Sequence, residues 1–196
     1  MRQTMPEADI QTTKRSAILA GALRLFAEQG FHGVTVPEVA ALAKVGAGTI
    51  YRYFASKEAL VNALFQQHKT AMADALLKDI PPDTNPRELF RTIWGRAIAF
   101  ARTNPHEVRF LELHHHGDYL DADSKKVQRR FEGVALAFVD RAQKLGAIKK
   151  VPPGVILALV WGGFAGTLKM YWGGQLKLTD EVIGACEQCL WEAIRL

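Results

Sequence analysis

Cysteine is scarce in this sequence, in which Cys186 and Cys189 are the only two among 196 residues. A single Cys-x-x-Cys pair is weak evidence for metal or redox chemistry when no second pair accompanies it. The spacing places the two thiols one turn apart on a helix, and thiols pack readily among apolar groups. We therefore interpret both cysteines as packing residues.

Catalytic motifs are also absent. The sequence has no glycine-rich phosphate loop, no Gly-x-Ser-x-Gly, no His-Glu-x-x-His and no cysteine in a catalytic context. The main cluster of metal-ligating residue types is His114-His115-His116, which has acidic neighbours. Consecutive helical residues point about 100° apart, so the three imidazoles cannot converge on one ion. We predict no enzyme, no metal site and no cofactor, and we interpret the histidines as a helix end at which His114 lines a pocket.

The sequence also lacks a convincing membrane-spanning segment. The longest charge-free run, from Val151 to Leu168, has two prolines near its start and contains four glycines. This composition favours a buried interface helix over a membrane span. The first apolar stretch, residues 16–27, contains Arg24, unlike the core of a signal peptide. We expect a cytoplasmic protein with no membrane partner.

Sustained period-two alternation, which is typical of β-strands, is missing as well. Apolar residues instead recur at helical spacing between helix-ending residues such as Gly30, Pro105 and Gly146. With 48% hydrophobic and 23% charged residues, the chain can bury a core. We predict an all-α fold of about nine helices.

Two short helices near residue 40 carry the most informative pattern. Thr35 and Glu38 have the spacing of a capping box, which predicts a helix start. The turn Lys44-Val45-Gly46 separates this helix from another of about two turns. Apolar side chains such as Ala40 and Ile50 face inward, while the opposite face of the second of these helices carries polar and aromatic groups. This arrangement is typical of a helix-turn-helix DNA reader.

From Thr35 to Leu60 the sequence resembles the TetR family of transcriptional regulators. Three elements in one frame make the resemblance specific: Gly48-Thr49-Ile50-Tyr51, Tyr53-Phe54 and Ser56-Lys57-Glu58. Two positions depart from the family's pattern, since Lys44 stands where glycine is common and Gly46 where serine is common. Lys44 must therefore form the turn without glycine's conformational freedom, and Gly46 offers no capping hydroxyl.

The resemblance implies DNA-binding roles for residues around this turn. The residues expected to approach phosphates are Thr35, Tyr51, Tyr53 and Lys57. Those expected to face base edges in the major groove are Ala47, Gly48, Thr49 and Arg52, and the turn residues Lys44 and Gly46 complete the set. Because arginine is the usual bidentate reader of guanine, sequence preference should depend mainly on Arg52 and Thr49.

The charge distribution agrees with a polyanionic partner. Twenty-five basic residues exceed twenty acidic ones, and the first 57 residues hold seven basic against four acidic side chains. Most of the positive excess therefore accompanies the helix-turn-helix pattern.

The remainder of the chain resembles the family in helical layout and length, which implies a ligand cavity inside a helical bundle. The residues that we expect to line it are Trp94, Phe110, His114, Phe131, Phe138 and Trp161. Core packing alone explains most of these aromatic residues. Possible polar anchors are Arg96, Arg102, Arg109 and Glu112, although each is more often a solvated residue.

Small residues at helical spacing suggest how two copies associate. Gly162 and Gly166 form a small-xxx-small face on an almost wholly apolar helix, and Cys189 and Ala193 lie on one face of the last helix. The pattern suggests a four-helix dimer interface, as the resemblance also implies.

Together these features predict a flexible arm (residues 1–13), a helix-turn-helix DNA-binding domain (residues 14–57) and a ligand-binding and dimerisation domain (residues 58–196). The predicted protein is a homodimeric regulator, by analogy a repressor, that binds double-stranded DNA and is released by an unidentified small-molecule effector. The alternative is a helical metal-binding or ligand-carrying protein that only retains a helix-turn-helix.

Overall fold

The computed structural model describes the backbone of residues 7–113 and 118–196. Within these residues the fold is all-α, as predicted, and comprises nine helices. Their bounds are α1 Glu7–Gln29, α2 Val36–Leu42, α3 Ala47–Tyr53, α4 Lys57–Leu77, α5 Pro86–Thr103, α6 Pro105–Leu113, α7 Ala122–Lys144, α8 Pro153–Trp172 and α9 Asp180–Ile194.

Helix α1 begins at Glu7 rather than at Lys14. Residues 7–13, which the sequence placed in the arm, belong to this helix, and residues 1–6 lie outside the described residues. The apolar periodicity begins only where the helix meets the core, near the fully buried Ile18. No proline or glycine follows Pro6 before Gly21, so the helix can continue beyond its packed part.

The described residues form two compact units. The first unit lies within Met1–Lys69 and Pro105–Lys125, and the second comprises Thr70–Asn104 and Lys126–Leu196. The first unit thus contains α1 to α3, the part of α4 up to Lys69, and α6. The boundary predicted after residue 57 separates DNA binding from ligand binding and dimerisation, and it is not a boundary between compact units. It stays a prediction.

In the first unit, α1 packs against α2 and α6. Its buried face includes Ile18, Ala22 and Phe26, and the ring centroid of Phe26 lies 6.4 Å from that of Phe110 on α6. Burial of this apolar face holds the two short helices on a long one. As predicted, Gly30 follows the end of α1 in a left-handed conformation, with a φ of 70°.

In the second unit, α9 packs against α5 and α8. A buried cluster joins Phe90, Val139, Ile156 and Trp191 with neighbouring residues of α7 to α9. The chain end is tied to the connection between α7 and α8, because the Lys149 amide donates a hydrogen bond of 2.8 Å to the Ile194 carbonyl.

Helix α8 is the one described helix that is long and apolar enough to cross a membrane, judged by length and composition alone. It contacts α9 closely, since a Cβ added at Gly163 would lie 2.6 Å from Cδ2 of Leu190. The glycine therefore lets α9 approach within the same chain.

Candidate DNA-binding site

The turn between α2 and α3 is closed by hydrogen bonds that end α2. The Val45 amide donates to the Ala40 carbonyl at 3.0 Å, and the Lys44 amide donates to the Ala41 carbonyl at 3.2 Å. This is a Schellman motif, in which the residue at the position of Lys44 adopts a left-handed conformation. Lys44 has a φ of 55°, so it does take the backbone that glycine commonly supplies.

Gly46 is the N-cap residue that precedes α3; its backbone is extended, and no side-chain hydrogen bond caps the helix. The Thr49 amide donates a hydrogen bond of 2.8 Å to the Gly46 carbonyl and so starts the helix. A Cβ added at Gly46 would lie 3.8 Å from Oγ1 of Thr49, an ordinary contact. No neighbouring atom thus prevents a serine here, and the missing hydroxyl leaves amides at this helix start unsatisfied by a side chain.

The outer face of α3 is accessible. Ile50 and Phe54 are buried, which fixes the helix on its inner side. The exposed residues are Ala47, Gly48, Tyr51 and Arg52, with Thr49 and Tyr53 half-buried. More than half of the Tyr51 surface, 56%, is exposed, so this aromatic residue is not a core residue. A helix fixed on one face and open on the other can enter the major groove.

The start of α2 is held by Glu38. Both the backbone amide and the hydroxyl of Thr35 donate hydrogen bonds of 2.7 Å to Oε2 of Glu38. These hydrogen bonds lower the pKa of the Glu38 carboxyl. The reach of Glu38 back to the helix start agrees with the capping-box spacing in the sequence. Thr35 itself is exposed, as an approach to phosphate requires.

Lys57 has a more specific environment than the sequence indicated. Its ammonium donates hydrogen bonds of 2.8 Å to the carbonyl oxygens of Phe31 and Val34. It also lies 4.0 Å from the centroid of the Phe31 ring. The half-buried lysine therefore stabilises the connection between α1 and α2. This connection is tightly packed, since a Cβ added at Gly33 would lie only 2.6 Å from the Gln29 carbonyl oxygen.

Sequence reasoning missed the contribution of the connection between α6 and α7. The ring of Tyr119 stacks on that of Phe31 with centroids 4.0 Å apart, and its hydroxyl lies 2.7 Å from Nε2 of His32. Tyr119 is separated from Phe31 by more than eighty positions, so no periodic pattern could reveal the contact. An isolated tyrosine in a polar turn was the only available signal.

Two family profiles cover nearly all of the chain. The profile described as "Bacterial regulatory proteins, tetR family" matches residues 18–64. The profile described as "Tetracyclin repressor-like, C-terminal domain" matches residues 65–196. The chain belongs to the TetR family. It is a DNA-binding transcriptional regulator with an amino-terminal helix-turn-helix and a helical carboxy-terminal domain.

Individual proteins are also similar to this chain in sequence. The chain is 34% identical over 97 residues to the HTH-type transcriptional repressor Rv3405c of Mycobacterium tuberculosis, covering 50% of each chain. It is 27% identical over 141 residues to the nucleoid occlusion factor SlmA of Haemophilus ducreyi, covering 71% of this chain and 69% of SlmA. The match to Rv3405c thus spans about half of that relative.

Solved structures share the fold. A TetR family regulator from Marinobacter aquaeolei has a TM-score of 0.83 at 24% identity, covering 96% of this chain and 98% of its own. A TetR family regulator from Shewanella has a TM-score of 0.80, also at 24% identity, covering 93% and 98%. At this identity the comparison concerns the fold.

In the second unit of this TetR-family protein, several of the aromatic residues predicted for the pocket lie in a row. The centroid of Phe164 lies 6.1 Å from that of Trp94 and 5.1 Å from that of Trp161, which is 6.0 Å from Phe131. The Trp94 indole donates a hydrogen bond of 3.1 Å to the Ile183 carbonyl.

Two other predicted pocket residues, Phe138 and Phe110, lie outside this row of rings. Phe138 packs against the buried cluster of the second unit. Phe110 belongs to the first unit, where it is fully buried near Phe26. His114 lies outside the described residues, as do His115 and His116.

Arg96 and Glu112, two of the candidate polar anchors, have well-defined contacts. The Arg96 guanidinium donates hydrogen bonds to the carbonyl oxygens of Leu76 and Lys78, where α4 ends. Glu112 pairs with Lys69 at 3.3 Å, and both side chains are only 5% exposed. Arg96 thus acts as a helix cap, and Glu112 joins α6 to α4.

Proposed function

We propose that this TetR-family chain is a homodimeric repressor, which binds a palindromic operator through α3 and is released by a small-molecule effector. The observation that carries the proposal is the helix-turn-helix whose outer face is open while its inner face is buried. Phosphate contacts are proposed for Thr35, Tyr51, Tyr53 and Lys57, and base contacts for Ala47, Gly48, Thr49 and Arg52, beside the turn residues Lys44 and Gly46. In this interpretation phosphate contacts set the register and Arg52 contributes most to sequence preference.

A stripe on α8 supports association with a second copy. Val155 and Leu159 are 46% and 47% exposed, as is Met170 at 47%, and Gly162 and Gly166 are exposed between them. Their spacing of four, three, four and four residues keeps all five on one helix face. Large exposed apolar residues in line on one helix are typical of an interaction surface.

Helix α9 offers a matching face of small residues. Ala185, Cys189 and Ala193 are exposed at intervals of four residues. Small side chains allow helices to approach closely, so two copies of α8 and α9 can form a four-helix interface. A two-fold dimer places its recognition helices about one DNA turn, roughly 34 Å, apart, which is why the operator is expected to be palindromic.

The effector is expected to be apolar, because the candidate pocket residues Trp94, Phe131 and Trp161 are aromatic. Effector binding would favour a dimer arrangement that cannot engage DNA, which is a shift between two populations. Repression, as opposed to activation, is supported by the relative Rv3405c, which is a transcriptional repressor. DNA as the partner implies a cytoplasmic protein.

The experiment is selection of bound fragments from the protein's own genomic DNA, followed by affinity measurements at two salt concentrations. A short palindrome bound in a salt-sensitive way supports the proposal, because neutralised phosphates release counterions. If no fragment is enriched and the affinity for DNA does not change with salt concentration, the proposal is contradicted and the ligand-carrying alternative is favoured. Arg52→Ala is the matched variant: it should bind the palindrome more weakly and discriminate less between sequences.

A further inference from the structure

The connection between α6 and α7, residues 118–121, contacts the connection between α1 and α2. Tyr119 stacks on Phe31 with an interplanar angle of 22° and a centroid distance of 4.0 Å. The Tyr119 hydroxyl lies 2.7 Å from Nε2 of His32, within hydrogen-bond distance. One side chain from the α6–α7 connection therefore contacts two successive residues beside the DNA-binding helices.

Lys57 and Tyr119 both contact the Phe31 ring. The Lys57 ammonium lies over this ring at 4.0 Å from its centroid, the same distance at which the Tyr119 ring is stacked. The Phe31 ring is therefore held by ring stacking on Tyr119 and by cation–π attraction to Lys57. Phe26 also stacks on it, with centroids 6.3 Å apart.

The α6–α7 connection is itself anchored to α4. Asn62, which is 5% exposed, donates a hydrogen bond of 2.8 Å to the Tyr119 carbonyl and accepts one of 2.9 Å from the Asp121 amide. The hydroxyl of the buried Ser124 accepts a hydrogen bond of 3.0 Å from the Gln66 amide group. The backbone that carries Tyr119 is therefore fixed by buried polar contacts, which leaves the ring only its side-chain torsions.

We propose that Tyr119 is a positioning residue for DNA binding: by stacking on Phe31 it keeps that ring beneath the Lys57 ammonium. The inference rests on the proposed DNA-binding role of Lys57. An ammonium has three donors, and two of them already bind the carbonyls of Phe31 and Val34. Lys57 consequently approaches phosphate from one fixed position, and that position depends on Phe31 staying in place.

The experiment measures affinity for sheared genomic DNA of mixed sequence at several salt concentrations, since a phosphate contact does not depend on sequence. Tyr119→Ala should weaken binding about three- to tenfold and lower the salt dependence toward that of Lys57→Ala. Tyr119→Phe keeps the stack and should bind like the wild type. The double variant Tyr119→Ala with Lys57→Ala should bind no more weakly than Lys57→Ala alone.

Two results would overturn the inference. One is wild-type affinity and salt dependence in Tyr119→Ala, and the other is full additivity of the two substitutions, which would mean that they act separately. Thermal melting of each variant keeps folding distinct from binding, and Tyr119→Leu, which retains apolar cover without stacking, replaces the alanine variant if that variant melts early. If Lys57→Ala binds DNA with wild-type affinity and salt dependence, the result contradicts the proposed DNA-binding role of Lys57 and not the positioning role of Tyr119.

Discussion

The residue with the least usual backbone in the helix-turn-helix is Lys44. Its φ of 55° costs conformational energy in an L residue, and the hydrogen bonds of Val45 and of its own amide hold it there. This conformational energy comes from the backbone alone, so substitutions can separate it from the effect of the lysine charge.

Lys44→Gly is expected to raise the free energy of unfolding by about 0.5 kcal/mol, because relief of strain exceeds the entropy that glycine adds to the unfolded chain. Denaturant midpoints at unchanged slope measure this effect. Lys44→Gln is the control, since it removes the charge and keeps the strain. Equal stability of the glutamine and glycine variants would refute the strain argument.

A substitution at Gly48 is expected to affect stability and DNA binding in opposite directions. A Cβ added at Gly48 would meet no atom within 4 Å, so Gly48→Ala should stabilise α3 by about 0.5 kcal/mol through helix propensity. If Gly48 faces the bases, the same methyl group should weaken DNA binding. Gly95→Ala, at an exposed glycine of α5 that also has open space, should stabilise without affecting DNA affinity. Unchanged DNA affinity in the Gly48 variant would place this residue away from the groove.

At the scale of elements, α8 carries glycines with two different surroundings. A Cβ at Gly163 would contact Leu190 of α9 at 2.6 Å, whereas Gly162 and Gly166 have nothing within 4 Å. Gly163 therefore serves packing inside one chain. The other two glycines lie on the exposed stripe proposed as the interface between copies.

If α8 forms the proposed dimer interface, Gly166→Leu should convert the dimer to a monomer while leaving the protomer's helix content unchanged. Gly163→Ala should do the reverse, keeping the interface face intact and lowering the free energy of unfolding by about 1 kcal/mol through overpacking. Light scattering gives the mass of each variant, and denaturant unfolding gives its stability. A Gly166→Leu protein that is still dimeric would show that the copies associate through another surface.

At the scale of the whole molecule, the proposed dimer would carry two helix-turn-helix units, which would double the effect of each substitution on the salt dependence. The logarithm of the affinity falls as the logarithm of the salt concentration rises. Lys57→Ala should reduce the magnitude of this slope by about two, because one phosphate contact is lost from each helix-turn-helix. Lys78→Ala, at an exposed lysine where α4 ends, is the control of equal charge and should leave the slope near the wild-type value. Equal slopes in wild type and Lys57→Ala would mean that the lysine only stabilises the α1–α2 connection.

The sequence by itself determined the order of the helices, most of their ends and the helix-turn-helix. These depend on neighbours within a few positions: the Thr35–Glu38 spacing, the helix end at Gly30 and the apolar spacing on each helix. The unusual backbone of Lys44 was predictable for the same reason, because the turn requires it locally.

Only the tertiary structure decided which faces and partners these helices use. Helix α8 is apolar almost all round, so its sequence could not show that Leu159 is exposed while Phe164 is buried. The carbonyls that hold Lys57, the stacking of Tyr119 on Phe31 and the placement of Phe110 beside Phe26 likewise came from the fold. Each joins residues that are far apart along the chain, and such contacts leave no periodic trace in the sequence.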